Sequence, residues 1–398
     1  MLYRRMPKNG DELSVLGFGC MRLPRNGGGI DEERAARQIR RAIDSGVNYV
    51  DTAWNYHAGA SEIILGRALA GGLREKVKLA TKLPTWLVRR REDMDQFLNA
   101  QLKKLDTTHI DYYQVHGLNG AAWDAMNHLG VTGFLDQAMA DGRIVNAGFS
   151  FHGSAEDFRL IVDAYPWTFC LIQYNFLDEH NQAGKEGLQY AASKGLGVII
   201  MEPLRGGNLS LPAPPPEVDA IWREAQHRRT PAEWALRWVW NHPEVTVVLS
   251  GMNDEKHLEE NLAVAVEALP NSLTASELEL VRRASQKYRE IIKVACTSCG
   301  YCLPCSNGVR ISECFEVYND LHAFGQAAEA RVMYAMQMSG LLAGNPGYAS
   351  QCEECGDCLD KCPQFLKIPD LLKDVVKDLE GEDLGRSEAF VRQMLMLG

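Results

Sequence analysis

Short apolar segments recur along the first 290 residues, and each is followed by a segment in which apolar positions repeat with helical spacing. The segments are continuously apolar, which is typical of strands buried on both faces of a parallel sheet. The eight predicted strands span residues 16–21, 47–52, 77–82, 110–116, 144–150, 169–175, 197–202 and 245–250. Eight strand–helix repeats are the number that closes a barrel, so the pattern predicts an α/β protein with a (β/α)8 TIM barrel.

Helix start signals lie between the predicted strands. Asp31 precedes an acidic first turn, and residues 230–233 form a capping box with proline at the first helical position. A second box at 274–277 opens a helix that is predicted to end near residue 292. A doubly wound open sheet is the competing fold, but residues 17–19 are too short a match to its glycine-rich fingerprint.

The charge of the chain excludes some classes of function. Its 398 residues carry 42 Lys and Arg against 52 Asp and Glu, a formal charge of −10. Without a basic segment, binding to nucleic acid is disfavoured. No segment approaches the roughly 18 consecutive apolar residues of a membrane span. Arg4-Arg5 is followed by polar residues rather than the apolar region of an export signal, so the expected location is the cytoplasm.

Cysteine is concentrated in the last third of the chain. Nine of the eleven cysteines lie between Cys296 and Cys362, and only Cys20 and Cys170, in apolar surroundings, come earlier. A reducing cytoplasm disfavours disulfides, so the clustering indicates a metal site. The first series is C-x2-C-x2-C-x2-C, and the second is C-x2-C-x2-C-x3-C followed by Pro363.

This spacing is typical of paired iron–sulfur clusters, in which the fourth cysteine before proline ligates the other cluster. Structural zinc is the alternative, because zinc sites also use C-x2-C pairs. We predict two [4Fe–4S] clusters and an electron-transfer function for this part of the chain. Cys314 could replace Cys305 as a ligand, but Cys305 already completes the first series. The predicted ligands are Cys296, Cys299, Cys302 and Cys362 for cluster site 1, and Cys305, Cys352, Cys355 and Cys358 for cluster site 2.

Four polar residues lie at or just beyond the ends of predicted strands, where barrel enzymes place their chemistry. Asp51, Lys82 and His116 come at the ends of the second, third and fourth strands, and Tyr56 follows in a loop. An ammonium group lowers the pKa of a neighbouring phenol, and a carboxylate keeps that ammonium in place. The set therefore suits protonation of a carbonyl oxygen, although lysine and aspartate at strand ends also form purely structural ion pairs.

Residues 46–56, GVNYVDTAWNY, resemble the G-x-x-x-x-D-T-A-x-x-Y signature of the aldo/keto reductase family. Ser61-Glu62 continues the signature, and Thr81-Lys82 and residues 111–116 resemble the settings of the family's catalytic lysine and histidine. The resemblance covers about residues 1–270. It implies that Tyr56 is the general acid, Lys82 modifies its pKa, Asp51 holds Lys82, and His116 orients the carbonyl group of a small aldehyde or ketone.

The family also implies NADPH bound across the barrel mouth. Phe151 stands where asparagine is common, and Met201 where many members stack an aromatic ring on the nicotinamide. His257 is the nearest replacement for the usual arginine at the 2′-phosphate, so NADP over NAD is a preference taken from the family alone. The residues implied in coenzyme binding are Ser150, Gln173, Met201, Pro203, Leu204, Ser250, Gly251, Met252, His257 and Asn261.

The predicted domains are a barrel over residues 1–275, a connecting helix over 276–292, an α-helical ferredoxin-like domain over 293–370 and a C-terminal helix over 371–398. The spacer between the two cysteine series is predicted to be helical over 313–342. The extended resemblance, to reductases with such a domain, covers about residues 1–370.

Hydride carries two electrons and each cluster accepts one, so the two parts of the chain pose a chemical conflict. We expect a carbonyl reductase whose clusters are structural or sense redox state. The alternative is an electron-transfer oxidoreductase whose clusters connect the barrel, through a bound flavin that no motif indicates, to a redox protein partner. A non-catalytic adaptor is disfavoured by the four strand-end residues. Trp54, Trp86 and Phe151 are expected to line the substrate pocket.

Overall fold

Eight parallel strands pair side by side in chain order, and the last strand pairs with the first to close a barrel. Strands β1–β8 are Leu16–Gly19, Tyr49–Asp51, Lys78–Leu83, Ile110–Leu118, Ile144–Phe151, Phe169–Gln173, Gly197–Met201 and Val245–Ser250. The predicted (β/α)8 barrel is confirmed, and each strand end lies within two residues of its predicted position.

Helices follow the strands and are capped where the sequence predicts. The Asp31 side chain accepts a hydrogen bond from the Arg34 amide at the start of the helix Glu32–Asp44. The Thr230 side chain accepts one from the Glu233 amide at the start of the helix Pro231–Trp240. Helices α1–α11 are Glu32–Asp44, Ser61–Ala68, Arg91–Lys104, Gly120–His128, Val131–Ala140, Ala155–Ala164, Gly184–Ser193, Pro216–Arg223, Pro231–Trp240, Glu255–Ala265 and Ala275–Ile291.

An antiparallel hairpin, Tyr3–Arg5 with Glu12–Ser14, precedes the barrel. Met6, in its turn, is fully buried in the same apolar cluster as the side chains of the barrel interior. A Cβ atom on Gly197 would lie 1.8 Å from Met6 Sδ, so this glycine leaves room for the thioether. The sequence did not predict the hairpin, because strands of three residues show too little alternation to be recognised.

Aromatic side chains fill the middle of the barrel. The ring of Tyr112 makes edge contacts with Tyr49 and Phe169, at centroid distances of 5.4 and 5.1 Å. A Cβ atom on Gly148 would come within 2.4 Å of the Phe169 ring, so the glycine in β5 provides space for it. The interior is therefore a packed core rather than a channel, as is usual for this fold.

The structure is a computed structural model that describes residues 1–26, 29–324, 327–341, 345–381 and 383–394. One compact unit comprises Met1–Leu204 and Arg229–Leu278, and the other comprises Arg205–Arg228 and Glu279–Gly398. Residues 205–228, which the sequence assigned to the barrel domain of 1–275, thus pack with the C-terminal unit. No helix in the described part of the chain is long and apolar enough to cross a membrane.

The C-terminal unit is helical around a small apolar core. The predicted spacer helix over 313–342 is instead two helices, with residues 325 and 326 between them and residue 342 outside the described residues. The prediction of a single C-terminal helix over 371–398 is also wrong. The helix Ile368–Leu379 ends before Glu380-Gly381, where glycine disfavours helix, and a second helix begins at Leu384. Leu395 lies outside the described residues. Helices α12–α15 are Ile311–Phe324, Ala327–Met338, Ile368–Leu379 and Leu384–Met394.

Two helical glycines allow a matched test of barrel packing. A Cβ atom on Gly66 in α2 would lie 2.8 Å from the Lys104 carbonyl oxygen, whereas one on Gly133 in α5 would have no neighbour within 4 Å. We expect Gly66→Ala to lower the free energy of unfolding by about 1–3 kcal/mol, since backbone must move. Gly133→Ala should raise it by about 0.5–1 kcal/mol. Denaturant titration of both variants tests this, and equal effects would contradict the packing described.

Candidate functional site

A buried ion pair lies at the carboxyl ends of β2 and β3. Lys82 Nζ is 2.5 Å from Asp51 Oδ1 and 2.7 Å from the carbonyl oxygen of Thr52. Gln114 Nε2 donates a hydrogen bond of 2.9 Å to the other carboxylate oxygen, Asp51 Oδ2. Both charged side chains are almost completely buried. Burial raises the pKa of Asp51, while Lys82 and Gln114 lower it, so the carboxylate depends on these two partners for its charge.

Strand register places these groups together. Lys82 pairs with Gln114 across β3 and β4, and Asp51 pairs with Ala80 across β2 and β3. The sequence analysis did not identify Gln114. A signal was present, because Gln114 precedes His116 by two residues and therefore shares its strand face.

A second buried carboxylate supports the strand that carries Lys82. Glu62 Oε1 accepts hydrogen bonds from Thr81 Oγ1 at 2.8 Å and from Gln101 Nε2 at 2.7 Å, and Lys104 Nζ lies 3.1 Å from Oε2. Gln101 also donates to the carbonyl oxygen of Lys82 at 2.9 Å. The Ser61-Glu62 part of the signature therefore holds the backbone of the site rather than facing its interior.

Tyr56 lies in the turn Tyr56–Gly59 after β2. The ammonium of Lys82 is 4.9 Å from the centroid of its ring. The pKa of Tyr56 is raised well above its ordinary value by burial, and further by Asp51, Cys20 and Glu202. This is opposite to the lowering expected from Lys82, because burial disfavours the phenolate and the carboxylate of Asp51 adds to that effect. Tyr56 is accordingly a neutral phenol with a proton to donate.

His116 lies opposite Tyr56, with ring centroids 6.4 Å apart. Burial, Lys82 and His152 lower the pKa of His116 well below its ordinary value, so the imidazole is neutral. The Thr85 hydroxyl donates a 2.8 Å hydrogen bond to the His116 carbonyl oxygen. Neutral imidazole beside a neutral phenol suits a polar but uncharged substrate group.

The aromatic residues expected around the substrate do not all lie there. Trp86 has its ring centroid 5.1 Å from that of His116 and is 40% exposed, which makes it a wall of the site. Phe151 is fully buried against Phe158 at 5.0 Å, so the expectation that it lines the pocket is wrong. Trp54 stacks under Lys104, with Nζ 3.5 Å from its ring centroid.

Ser150 and Gln173, the predicted carboxamide contacts, are buried at the ends of β5 and β6. Ser150 Oγ accepts a hydrogen bond from the Gly117 amide at 2.8 Å. Gln173 accepts one from Gln182 at 2.8 Å and donates one to Asp178 at 3.0 Å. Both side chains are amide- or hydroxyl-bearing groups at neighbouring strand ends, which is the chemistry that a carboxamide requires.

The loop after β7 holds the remaining predicted nicotinamide contacts. Met201 ends the strand half-buried, Pro203 is buried, and Leu204 is half-buried. Glu202 has a φ of +53°, the left-handed region that non-glycine residues rarely adopt. Its carbonyl oxygen accepts a hydrogen bond from Asn175 Nδ2 at 3.2 Å, which helps to fix the loop.

The predicted adenosine-phosphate residues lie after β8. Asn261 donates a 2.8 Å hydrogen bond to Ser250 Oγ, and both are buried, as is Met252. Gly251 approaches Arg22, whose Cβ would be 3.1 Å from a Cβ on the glycine. His257 is exposed in the first turns of α10.

Two carboxylates stand at the start of α10. Asp254 Oδ1 accepts a hydrogen bond from the Lys256 amide at 2.9 Å and so caps the helix. Arg34 Nη2 lies 2.9 Å from Asp254 Oδ2 and also pairs with Glu255, lowering the pKa of Glu255 to about 2. The Asp254 carboxylate therefore occupies part of the α10 N-terminus that would otherwise be free to bind an anion.

The eight cysteines of the two series separate into two cavities within the C-terminal unit. Cys302 and Ile311 line both cavities. The first is lined by Cys296, Cys299, Cys302 and Cys362, and the second by Cys305, Cys352, Cys355 and Cys358. Each cavity thus combines cysteines of both series in the crossed arrangement that the spacing predicts, and four sulfurs around one space fit an iron–sulfur cluster.

The electrostatic neighbours of the thiols follow the same grouping. Burial raises the pKa of Cys302 to about 12, and Cys299, Cys296 and Cys362 raise it further. Burial likewise raises the pKa of Cys358, with Cys352, Cys355 and Cys305 as additional causes. Buried thiolates that repel one another favour a shared cation, which is what iron would supply.

The remaining cysteines are core residues. Cys20 and Cys170 are fully buried in the barrel, as expected. Cys314 is buried in the core of the C-terminal unit, with Sγ 3.5 Å from the Tyr334 hydroxyl and 3.7 Å from Met338 Sδ. Its surroundings therefore fit packing rather than ligation.

The sequence model of the Aldo/keto reductase family matches residues 15–286. The chain belongs to the aldo/keto reductase family. A second match, to the 4Fe-4S dicluster domain, covers residues 295–366 of this aldo/keto reductase. Both agree with the resemblances drawn from the sequence, and the second places an iron–sulfur domain on the segment that contains the two cavities.

Named relatives cover the barrel part of this aldo/keto reductase. It is 26% identical over 299 residues to "Probable aldo-keto reductase 1" of Glycine max, covering 66% of this chain and 84% of the relative. It is 25% identical over 304 residues to L-galactose dehydrogenase of Arabidopsis thaliana, covering 70% of this chain and 93% of that relative. The holo form of aldo-keto reductase AKR11C1 from Bacillus halodurans superposes with a TM-score of 0.59 at 26% identity, covering 72% of this chain and 96% of that structure.

Paired substitutions test the grouping of the cysteines. Cys305→Ala with Cys355→Ala removes two residues of cluster site 2, and we expect such protein to keep half of the iron. Cys355→Ala with Cys362→Ala takes one ligand from each site and should disturb both clusters. Anaerobic reconstitution with iron and sulfide analysis and EPR spectroscopy measures the result.

Cys314→Ala is the matched control, because a core cysteine should leave the iron content unchanged. The grouping is wrong if the Cys305/Cys355 pair disturbs both clusters while the Cys355/Cys362 pair disturbs one.

Proposed function

We propose that this aldo/keto reductase reduces the carbonyl group of a small aldehyde or ketone to an alcohol, using a nicotinamide coenzyme. When bound, the coenzyme supplies a hydride to the carbonyl carbon. The observation that carries the proposal is the convergence of Tyr56, Lys82, Asp51 and His116 at adjoining strand ends. Lys82 and Asp51 are 2.5 Å apart, Lys82 Nζ is 4.9 Å from the Tyr56 ring centroid, and the ring of partly exposed Trp86 contacts His116.

Tyr56 is the proton donor in this proposal. Its raised pKa keeps the phenol protonated until a carbonyl oxygen gains negative charge and takes the proton. Lys82 then stabilises the phenolate that is left, and Asp51 keeps Lys82 charged and in place. His116, neutral and held through its backbone by Thr85, orients the carbonyl oxygen by a hydrogen bond.

The coenzyme is assigned to the barrel mouth by the same reasoning. The hydroxyl of Ser150 and the amide of Gln173 are the kinds of group that pair with a carboxamide, and Met201, Pro203 and Leu204 provide an apolar border. Ser250, Gly251, Met252, His257 and Asn261 are assigned to the adenosine end. The family favours NADPH, whereas the carboxylates of Asp254 and Glu255 repel a 2′-phosphate, so both NADPH and NADH are candidates.

A second candidate function is electron transfer through the clusters, to or from a redox protein. It is favoured by the dicluster domain and by Cys355, which is exposed, so that cluster site 2 reaches the surface. Each [4Fe–4S] cluster supplies one-electron chemistry when bound. A flavin would be needed to divide a hydride into single electrons.

Tyr56→Phe tests the main proposal. Without the phenolic proton, we expect turnover of a small aldehyde to fall by about 10²–10⁴-fold. The dissociation constants of NADPH and NADH should stay within twofold, because the hydroxyl is not assigned to coenzyme binding. Stopped-flow turnover and fluorescence titration with each coenzyme measure these quantities.

Tyr190→Phe is the matched control, since its hydroxyl donates to Asp163 on an outer helix, away from the strand ends, and it should leave turnover unchanged. Tyr56 is not the proton donor if Tyr56→Phe keeps more than a tenth of the native rate.

Loss of cluster site 2 separates the two candidate functions. In protein with Cys305→Ala and Cys355→Ala, we expect coenzyme-dependent reduction of the aldehyde to continue at the native rate. Coenzyme-dependent reduction of a high-potential one-electron acceptor such as ferricyanide, which the relay function predicts for the native protein, should be lost. Assays of both reactions on one preparation provide the comparison, and a parallel loss of aldehyde reduction would favour the relay function.

A further inference from the structure

Side-chain hydrogen bonds fix the amide of Gln173 at the end of β6. Gln182 Nε2 donates to Gln173 Oε1 at 2.8 Å, and Gln173 Nε2 donates to Asp178 Oδ2 at 3.0 Å. Gln173 and Gln182 are 1% and 7% exposed, so both amides are largely shielded from water. The oxygen of the Gln173 amide is therefore turned towards Gln182, and its nitrogen is turned towards a carboxylate.

The series of hydrogen bonds continues on the other side of Gln182. His152, which directly follows β5, has its Nδ1 3.2 Å from Gln182 Oε1. Burial lowers the pKa of His152 to about 4, so the imidazole is neutral at pH 7. Because an amide oxygen can only accept a hydrogen bond, the proton of this imidazole is on Nδ1.

The three hydrogen bonds share one direction. Each donor lies on the side of His152 and each acceptor on the side of Asp178, whose carboxylate has no hydrogen to donate. If the Gln173 amide were reversed, its oxygen would face the carboxylate and its nitrogen would face the nitrogen of Gln182. Hydrogen bonds in series also polarise one another, so the observed orientation is reinforced at each step.

Asn175 holds the carboxylate end of the series. Its Nδ2 donates to Asp178 Oδ2 at 3.1 Å and to the carbonyl oxygen of Glu202 at 3.2 Å. Its Oδ1 accepts a hydrogen bond of 2.9 Å from the Asp178 amide. The series is thus attached to the left-handed turn at Glu202, next to Pro203 in the predicted coenzyme site.

The backbone of Gln182 is strained. Its φ of +56° lies in the left-handed region, which residues with a Cβ atom rarely adopt and which is frequent at functional sites. The surrounding loop is closed by a hydrogen bond of 2.8 Å from the Lys185 amide to the Glu179 carbonyl oxygen. This closed loop keeps the Gln182 side chain against Gln173 in spite of the strain.

We propose that Gln182 is a positioning residue that holds the Gln173 amide in one orientation and so makes the coenzyme site selective for the carboxamide of nicotinamide. A carboxamide has a donor and an acceptor on one carbon, so only an amide of fixed orientation distinguishes it from groups of the same shape. The inference rests on the proposed function, in which the barrel binds a nicotinamide coenzyme.

Two substitutions at Gln182 test this role in the full-length protein. Gln182→Met removes both polar ends at similar length, and Gln182→Glu keeps the size but removes the donor. The matched control is Gln189→Met, because Gln189 is exposed in α7. Quenching of tryptophan fluorescence measures the dissociation constants of NADPH, NADH and their 3-acetylpyridine analogues, in which a methyl group replaces the carboxamide nitrogen. Circular dichroism records folding.

We expect native protein to bind its preferred coenzyme about tenfold more tightly than the acetyl analogue, the effect of roughly one hydrogen bond. In both Gln182 variants this ratio should fall below about threefold, because the Gln173 amide is then free to turn. The affinity for the analogue should change little, and Gln189→Met should keep the native ratio. The added charge in Gln182→Glu acts on both coenzymes alike, so the ratio excludes it.

A native ratio in the Gln182 variants overturns the inference. Equal loss of affinity for coenzyme and analogue also overturns it, because Gln182 would then be structural, and Gln182→Glu decides the question if Gln182→Met does not fold. Native protein that binds a coenzyme without preference for the carboxamide overturns the inference but not the proposed carbonyl reduction. Native protein that binds neither NADPH nor NADH overturns both.

Discussion

The burial of the Lys82–Asp51 pair is the constraint on which the candidate site depends. A lone buried charge costs several kcal/mol, so neither side chain is tolerated without the other. Their contact requires that β2, β3 and β4 keep their register, because Gln114 on β4 completes the coordination of the carboxylate. The catalytic geometry and the closure of this side of the barrel are therefore the same structural requirement.

Burial determines the state of the two rings beside the pair. It raises the pKa of Tyr56, with Asp51 as a further cause, and it lowers the pKa of His116, with Lys82 as a further cause. Both rings are consequently uncharged. The sequence suggested that Lys82 lowers the pKa of Tyr56, and the direction differs because that prediction did not include the burial of the phenol.

The barrel could be predicted from sequence because strands buried on both faces appear as continuous apolar segments, which have few alternative interpretations. The grouping of the cysteines into two ligand sets stays a prediction from their spacing, which the lining of the two cavities supports. Phe151 and the pairing of residues 205–228 with the C-terminal unit could not, because they depend on packing between segments distant in the chain. Gln114 lay between these cases: strand periodicity placed it beside His116, but glutamine in a strand does not by itself indicate a function.

Cys302 and Ile311 line both cysteine cavities, so the two predicted cluster sites adjoin each other. Clusters bound there would exchange electrons across a shared wall. Two adjoining one-electron centres have the same total capacity as one hydride. The two predicted clusters together would therefore hold as many electrons as one hydride carries, while the division of that hydride into single electrons would still require a flavin.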